Sequence, residues 1–243
     1  SEFVSPEGLR LDGRRPNDLR RIVARLGQFH KCDGSAYVEH GNTKVLATVY
    51  GPHEVAAGGV TIHDRASIRT EYSTATFSTI ERKFRPKGDK KSTEVEVLLS
   101  RTFAEAIITT LYPRSTIAIF IQVLQADGGE TVAAINAATL AVIDAGVAMR
   151  DYVVACSVGC IDGTNVLDIN YRESGAHGPE LTVAILPKSE RIVTTLMESR
   201  IHADQFKGLL ELALVGCASV YATLHDAVIK RTEALAATSV GIK

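Results

Sequence analysis

Thr116-Ile-Ala-Ile-Phe-Ile-Gln-Val-Leu-Gln-Ala-Asp-Gly-Gly-Glu130-Thr131 is the stretch of this 243-residue chain from which the rest can be read. Residues 117–124 are apolar on both faces, which predicts a central, buried strand. Residues 130–145 follow as a helix that is small and apolar almost all round (Ala133, Ala134, Ala137, Ala138, Ala141), so it must be buried and closely packed, with Gly146 as its stop. Between strand and helix, Gly128 and Gly129 let the backbone approach a ligand without obstruction. A glycine turn feeding a helix start is how proteins build anion pockets, because the first amides of the helix are free to donate. Here the first turn carries Glu130 instead. A carboxylate satisfies those amides internally and would repel a bound phosphate by an amount on the order of 1–4 kcal/mol. No Arg or Lys lies nearby in sequence to offset it.

Upstream, residues 36–52 read as two strands around a Gly41-Asn42 turn, and 70–77 as another strand. Residues 78–91 are a polar, basic loop. Residues 92–111 read as a helix opened by a Thr93/Glu96 capping box and stopped by Pro113. Downstream, residues 152–159, 166–170, 181–186 and 191–197 are strand candidates, and 204–233 is a long amphipathic helix. Strands then helix, twice over, predict an α/β (α+β) fold: one domain over 1–243 with two similar halves, roughly 1–150 and 151–243.

Net charge is −1, so the whole molecule does not attract nucleic acid; any polyanion site must be local. Two windows are basic. Residues 10–25 hold six Arg against Asp12 and Asp18, and residues 81–91 hold Arg82, Lys83, Arg85, Lys87, Lys90 and Lys91 against Glu81 and Asp89. Each is net +4, which leaves −9 for the remainder. The first window reads as an interface that gives Arg to a partner's carboxylates, the second as an RNA contact. Lys90 and Lys91 sit just before a helix, whose positive end would reinforce phosphate contacts.

The four cysteines form no Cys-x-x-Cys pair and the seven histidines no His-Glu-x-x-His, which argues for reduced thiols in an intracellular protein and against a structural metal. No uninterrupted apolar run approaches the ~20 residues of a membrane helix, and no signal peptide is visible. Asp168, in the apolar stretch Val166-Leu-Asp-Ile-Asn170, needs a buried partner or a role. Pairing with Glu180 across a turn would make a magnesium or manganese site; the alternative is a local cap or salt bridge for Asp168 and a surface acid at Glu180.

A set of segments resembles the RNase PH family, and within it the catalytic-type ring subunit of the archaeal and eukaryotic RNA exosome. They are Pro6-Glu-Gly-Leu-Arg-Leu-Asp-Gly-Arg-Arg15, Asp33-Gly-Ser, Gly41-Asn-Thr-Lys-Val, Val49-Tyr-Gly-Pro52, Glu71-Tyr-Ser73, Ser92-Thr-Glu94, Gln122-Val-Leu-Gln-Ala-Asp-Gly-Gly129, Asn136-Ala-Ala-Thr-Leu-Ala141, Asp144-Ala-Gly146, Met149-Arg-Asp151 and Leu167-Asp-Ile-Asn170. The resemblance implies a two-layer domain of two similar halves. It implies a six-membered ring of sister subunits around an RNA channel, topped by small RNA-binding cap proteins and feeding a hydrolytic nuclease. Active members use phosphate to release nucleoside diphosphates from RNA ends. Their Gly-Gly is followed by Thr or Ser and then Arg, which holds the phosphate; this chain has Glu130 and Thr131. Asp168 matches the family's catalytic carboxylate, a second Asp is replaced by Glu180, and a nearby acidic position is Ser174.

The expectation is therefore a non-catalytic channel and scaffold subunit. Asp168, Glu180 and the Gly128–Gly129–Glu130–Thr131 cradle would be vestigial, and no cofactor or metal is expected. RNA would be contacted by Lys90 and Lys91, with Arg82, Arg85 and Arg101 as weaker candidates. The work would be processing and degradation of RNA, rRNA included, in nucleus, nucleolus and cytoplasm. The alternative is an active phosphate-dependent 3′–5′ exoribonuclease using inorganic phosphate and magnesium. A small-molecule kinase on a related scaffold would need a longer glycine loop and a catalytic Lys, which Gly-Gly-Glu-Thr does not supply.

Overall fold

The computed structural model describes residues 3–5, 7–54, 62–82, 88–161, 163–175, 178–197 and 199–240. Apolar stretches alternate with turn residues to give five strands in the first half: β1 (Ile22–Leu26), β2 (Gly34–His40), β3 (Thr43–Glu54), β4 (Ser67–Thr74) and β5 (Ser115–Gln125). They form one sheet in the order β1-β2-β3-β5-β4. All neighbours are antiparallel except β4 and β5, which run parallel. Parallel pairing needs a crossover, and α1 (Lys90–Ala106) supplies it. The second half holds β6 (Val154–Ile161), β7 (Thr164–Leu167), the short α3 (Tyr171–Ser174), β8 (Glu180–Leu186) and β9 (Arg191–Met197). Its four strands form an antiparallel sheet in the order β7-β6-β8-β9.

Helix α2 (Glu130–Asp144) links the two sheets, touching β2 and β3 on one side and β6 on the other. Its residues 132–142 are all buried, as the alanine pattern requires. Small side chains let the backbones close in: a Cβ on Gly34 of β2 would stand 2.2 Å from the Ala141 carbonyl oxygen. The one buried amide on α2, Asn136, is matched by the β6 backbone, accepting from Ala155 N at 2.9 Å and donating to Ala155 O at 3.1 Å. Helix α4 (Ala203–Val240) lays Leu209, Ala213, Cys217, Val220 and Leu224 into the core against β6 and β8. An 18-residue window of this helix has a mean hydropathy of 1.6, enough for a membrane span by length and composition, yet this stripe packs on the sheet.

Three local expectations are corrected. Helix α1 starts at Lys90, two residues early, and its Thr93/Glu96 capping box does not form. Glu96 instead accepts from Tyr72 N on β4 at 3.0 Å, and Thr93 donates to Asp89 O at 3.2 Å. The same helix stops at Ala106, well before Pro113, because Ile107 turns extended and bridges to Met149. Finally, β7 ends at Leu167, so Asp168 lies just outside a strand, with φ at +57°.

Candidate functional site

The glycine turn is held from three sides. Gly128 and Gly129 have φ of +82° and +67°, a conformation that ordinary side chains resist. Gly128 also lies against the β7–α3 connection, where a Cβ would come within 2.7 Å of Tyr171 N and 2.6 Å of the Asn170 carbonyl carbon. Tyr171 N donates to Asp127 O at 3.1 Å. From the β2–β3 hairpin, Thr43 donates to Gly128 O at 2.7 Å and accepts from Asp127 N at 3.1 Å.

Gly129 is the N-cap of α2 and no side chain caps the helix from that position; Glu130 is the acid of its first turn. The phenol of Tyr72, buried on β4, lies beside the Glu130 carboxylate; burial first, then this carboxylate, push the phenol far above its ordinary value. The acid thus faces a neutral phenol from a distant strand. In the sequence Tyr72 stood out only as part of a strand and of the segment Glu71-Tyr-Ser73.

A guanidinium does reach the turn, from a position that sequence proximity could not suggest. A Cβ on Gly129 would lie 2.9 Å from Arg20 Nη2. Arg20 is buried, and its donors are spent within the chain. Nη1 donates to Asp127 O at 2.9 Å and Nη2 to Gly128 O at 3.2 Å, while Nε and Nη2 reach the two Asp168 oxygens at 3.0 and 2.7 Å. Asp168 also accepts from Arg20 N at 2.8 Å and from His40 Nε2 at 3.0 Å, and lies 3.5 Å from Arg14 Nη1. Burial alone would raise the Asp168 carboxyl; His40 first, then Arg20, hold it far below the ordinary carboxylate range.

A second buried pair abuts this one. Arg10 grips Glu173 with two donors, Nε at 2.7 Å from Oε1 and Nη2 on Oε2, and also donates to Asp168 O at 2.8 Å. Glu173 in turn forms a capping box with Asn170 at the start of α3. Arg10, Arg14 and Arg20 therefore bind this chain's own acids, where the sequence suggested a partner's. The acids lie about 150 positions away, so only the fold reveals the match.

Of the two readings weighed for Asp168, the pair with Glu180 does not form. Strand β6 runs between them: Gly159 sits opposite Glu180, and its neighbour Val158 opposite Leu167. Glu180 accepts from Ser174 Oγ at 3.3 Å. Among the described residues no group of three or more His, Cys, Asp or Glu could hold a metal. The Asp168 oxygens face arginine and histidine, which compete with a cation rather than invite one.

Lys90 and Lys91 occupy the first turn of α1, exposed; among the described residues Lys90 has a loose contact to Glu94 at 3.9 Å. No acid sits in that turn and no side chain caps it, so the positive helix end adds to their field. Arg101 is exposed on the same helix, eleven residues after Lys90, which returns it to nearly the same face about 16 Å along. Arg82 is exposed ahead of the helix, and Arg85 lies outside the described residues. The lysines are some way in sequence from the glycine turn, but both elements belong to the first half and adjoin β4, through α1 packing and through Tyr72–Glu130.

Comparison with known proteins agrees with this layout. Residues 18–148 match domain 1, and residues 151–216 domain 2, of the 3′ exoribonuclease family, RNase PH. Exosome complex component RRP41 of Mus musculus is 51% identical over 241 residues, covering 99% of this chain and 98% of the relative. The Homo sapiens protein of that name is 51% identical over 231 residues, 95% of this chain and 94% of its own length. The crystal structure of rice (Oryza sativa) Rrp46 superposes with a TM-score of 0.80 at 26% identity, covering 89% of this chain and 98% of the other. With both family domains in order along one chain, and half of its residues shared with relatives over nearly their full length, this chain belongs to the RNase PH family.

Proposed function

We propose that the chain is a ring subunit of an RNA exosome that guides and supports RNA without cutting it. Its relatives are named as exosome components, which supports the assembly. The observation that carries the non-catalytic reading is the occupied cradle. Glu130 stands in the first turn of α2 with the Tyr72 phenol beside it, and the adjacent guanidinium, Arg20, is taken up by Asp168 and two carbonyls. An attacking phosphate would meet a negative charge there, and the nearby guanidinium is already bound to another carboxylate.

RNA contact falls to Lys90 and Lys91, with Arg82, Arg85 and Arg101 in support. The partners on this reading are sister RNase PH-type subunits, small RNA-binding caps and a hydrolytic nuclease. Its places of work are nucleus, nucleolus and cytoplasm, and its substrates include rRNA precursors. Incubating the assembled ring, without the hydrolytic subunit, with end-labelled RNA, phosphate and magnesium should yield no nucleoside diphosphates. Their release, abolished by Asp168→Asn, would establish the alternative, a phosphorolytic exoribonuclease. The observation favouring that alternative is the nearness of Arg20 to Gly129.

A further inference from the structure

Beside the glycine turn lies a cleft of about 610 Å³ that the reading above does not use. It is lined by the segment after β4 (Phe77, Ser78, Thr79, Ile80), by Leu11, by the start of α3 (Tyr171, Arg172) and by Asn42 and Asp127. Two rings stand open at its rim: Phe77 is 74% exposed and Tyr171 56%. With Leu11 and Ile80, also exposed, they make a contiguous apolar patch of the kind that marks an interaction site.

The polar groups are prepared. Ser78 is buried, lines the cleft, and its Oγ has no hydrogen-bond partner among the described residues. Asn42 Nδ2 donates to Asp127 Oδ2 at 2.9 Å, which fixes both side chains. Asp12, the other acid of the lining, is held by Arg14 at 2.6 Å. The backbone beneath Tyr171 is anchored to Asp127 O, so the ring is presented from a rigid base.

We propose that this cleft is a subsite for one unpaired RNA base, taken in against the rings of Phe77 and Tyr171. An aromatic wall suits the faces of any base, and a fixed amide, a carboxylate and an unsatisfied hydroxyl suit a base edge that carries both donors and acceptors. Two acids in the lining, Asp12 and Asp127, disfavour phosphate, so the strand's backbone lies outward, on the side of Arg172. The inference rests on the RNA-contacting reading above and adds to it a site that holds a base, distinct from the lysines that hold the backbone.

The test uses the reconstituted ring and a short single-stranded oligonucleotide, labelled for fluorescence anisotropy. The double variant Phe77→Ala with Tyr171→Ala should weaken binding about tenfold without changing the salt dependence, since stacking releases no counterions. Tyr171→Phe should bind as the parent does. A separate ring carrying Lys90→Glu and Lys91→Glu should lose affinity and also flatten the salt dependence. Loss with the lysine variant alone would overturn the base subsite and keep the RNA reading. No loss with either would overturn both. A ring that no longer assembles when Phe77 and Tyr171 are replaced would overturn the subsite and make the cleft a contact with a neighbouring subunit; gel filtration reads this.

Discussion

Residues 10–25 and 81–91 carry the same net charge, +4, and look alike on paper. In the folded chain they differ. Half of the first window turns inward: Arg10, Arg14 and Arg20 converge on Asp168 and Glu173, with the side chains of Arg10 and Glu173 wholly buried, while Arg15, Arg21 and Arg25 stay exposed. In the second, the described cations Arg82, Lys90 and Lys91 stay outside, with the Lys90 side chain 91% exposed and a carboxylate contact at 3.9 Å. Charge in a window says how much cation is present. Where it goes depends on whether acids elsewhere in the chain fold back to meet it.

The sharpest way to break this contrast is to remove the inner anion. Asp168→Ala leaves Arg20 buried without its carboxylate, and breaking a buried pair of this kind costs about 3–5 kcal/mol. The urea midpoint of the variant should fall accordingly, with Asp168→Asn intermediate because the amide keeps some of the hydrogen bonds. Next in size is Gly128→Ala, which combines a positive φ with a clash against the Asn170–Tyr171 backbone; about 2 kcal/mol or more is expected by the same measurement.

Acid titration sharpens the comparison further. The folded state holds the Asp168 carboxyl below its ordinary value, so the unfolded chain takes up this proton at the higher pH. The stability it contributes is complete above the unfolded value of about 4 and is lost as pH falls toward the folded one. The parent should lose stability with a slope of up to about 1.4 kcal/mol per pH unit below pH ~4 from this group, and Asp168→Asn should lack that part of the slope.

Two smaller effects follow. Tyr72→Phe removes the buried hydroxyl beside Glu130 and should cost about 1 kcal/mol, read by thermal melting. At the outer window, Lys90→Glu with Lys91→Glu should leave the melting curve unchanged within error while reducing RNA threading through the ring. A measurable drop in the melting temperature would mean that the second window, like the first, has structural partners.

Much of the fold was legible because its signals are local. The apolar run of β5, although only its Ile117–Ile119–Ile121–Val123 face is buried, the alanine face of α2 and the Gly41-Asn42 hairpin each declare themselves within a dozen residues. Where the reading slipped, a contact from elsewhere had outbid the local pattern. Ile107 leaves α1 to bridge Met149, Glu96 serves Tyr72 in place of a helix cap, and Asp168 leaves the strand for a left-handed turn that points it at Arg20 and His40. The candidate site divides in the same way. Its glycines and its misplaced acid are a four-residue signal, whereas Arg20 comes from 108 positions before Gly128.

Helix α2 has a consequence for descent. It is gripped along its length by both sheets, and the glycine turn is merely where it begins. The placement of that turn is inherited from interior packing and owes nothing to the identity of positions 130 and 131. Mutation can therefore silence a reactive centre here, or rebuild one, while the frame around it stays where it was, so ancestry and activity need not travel together in this lineage.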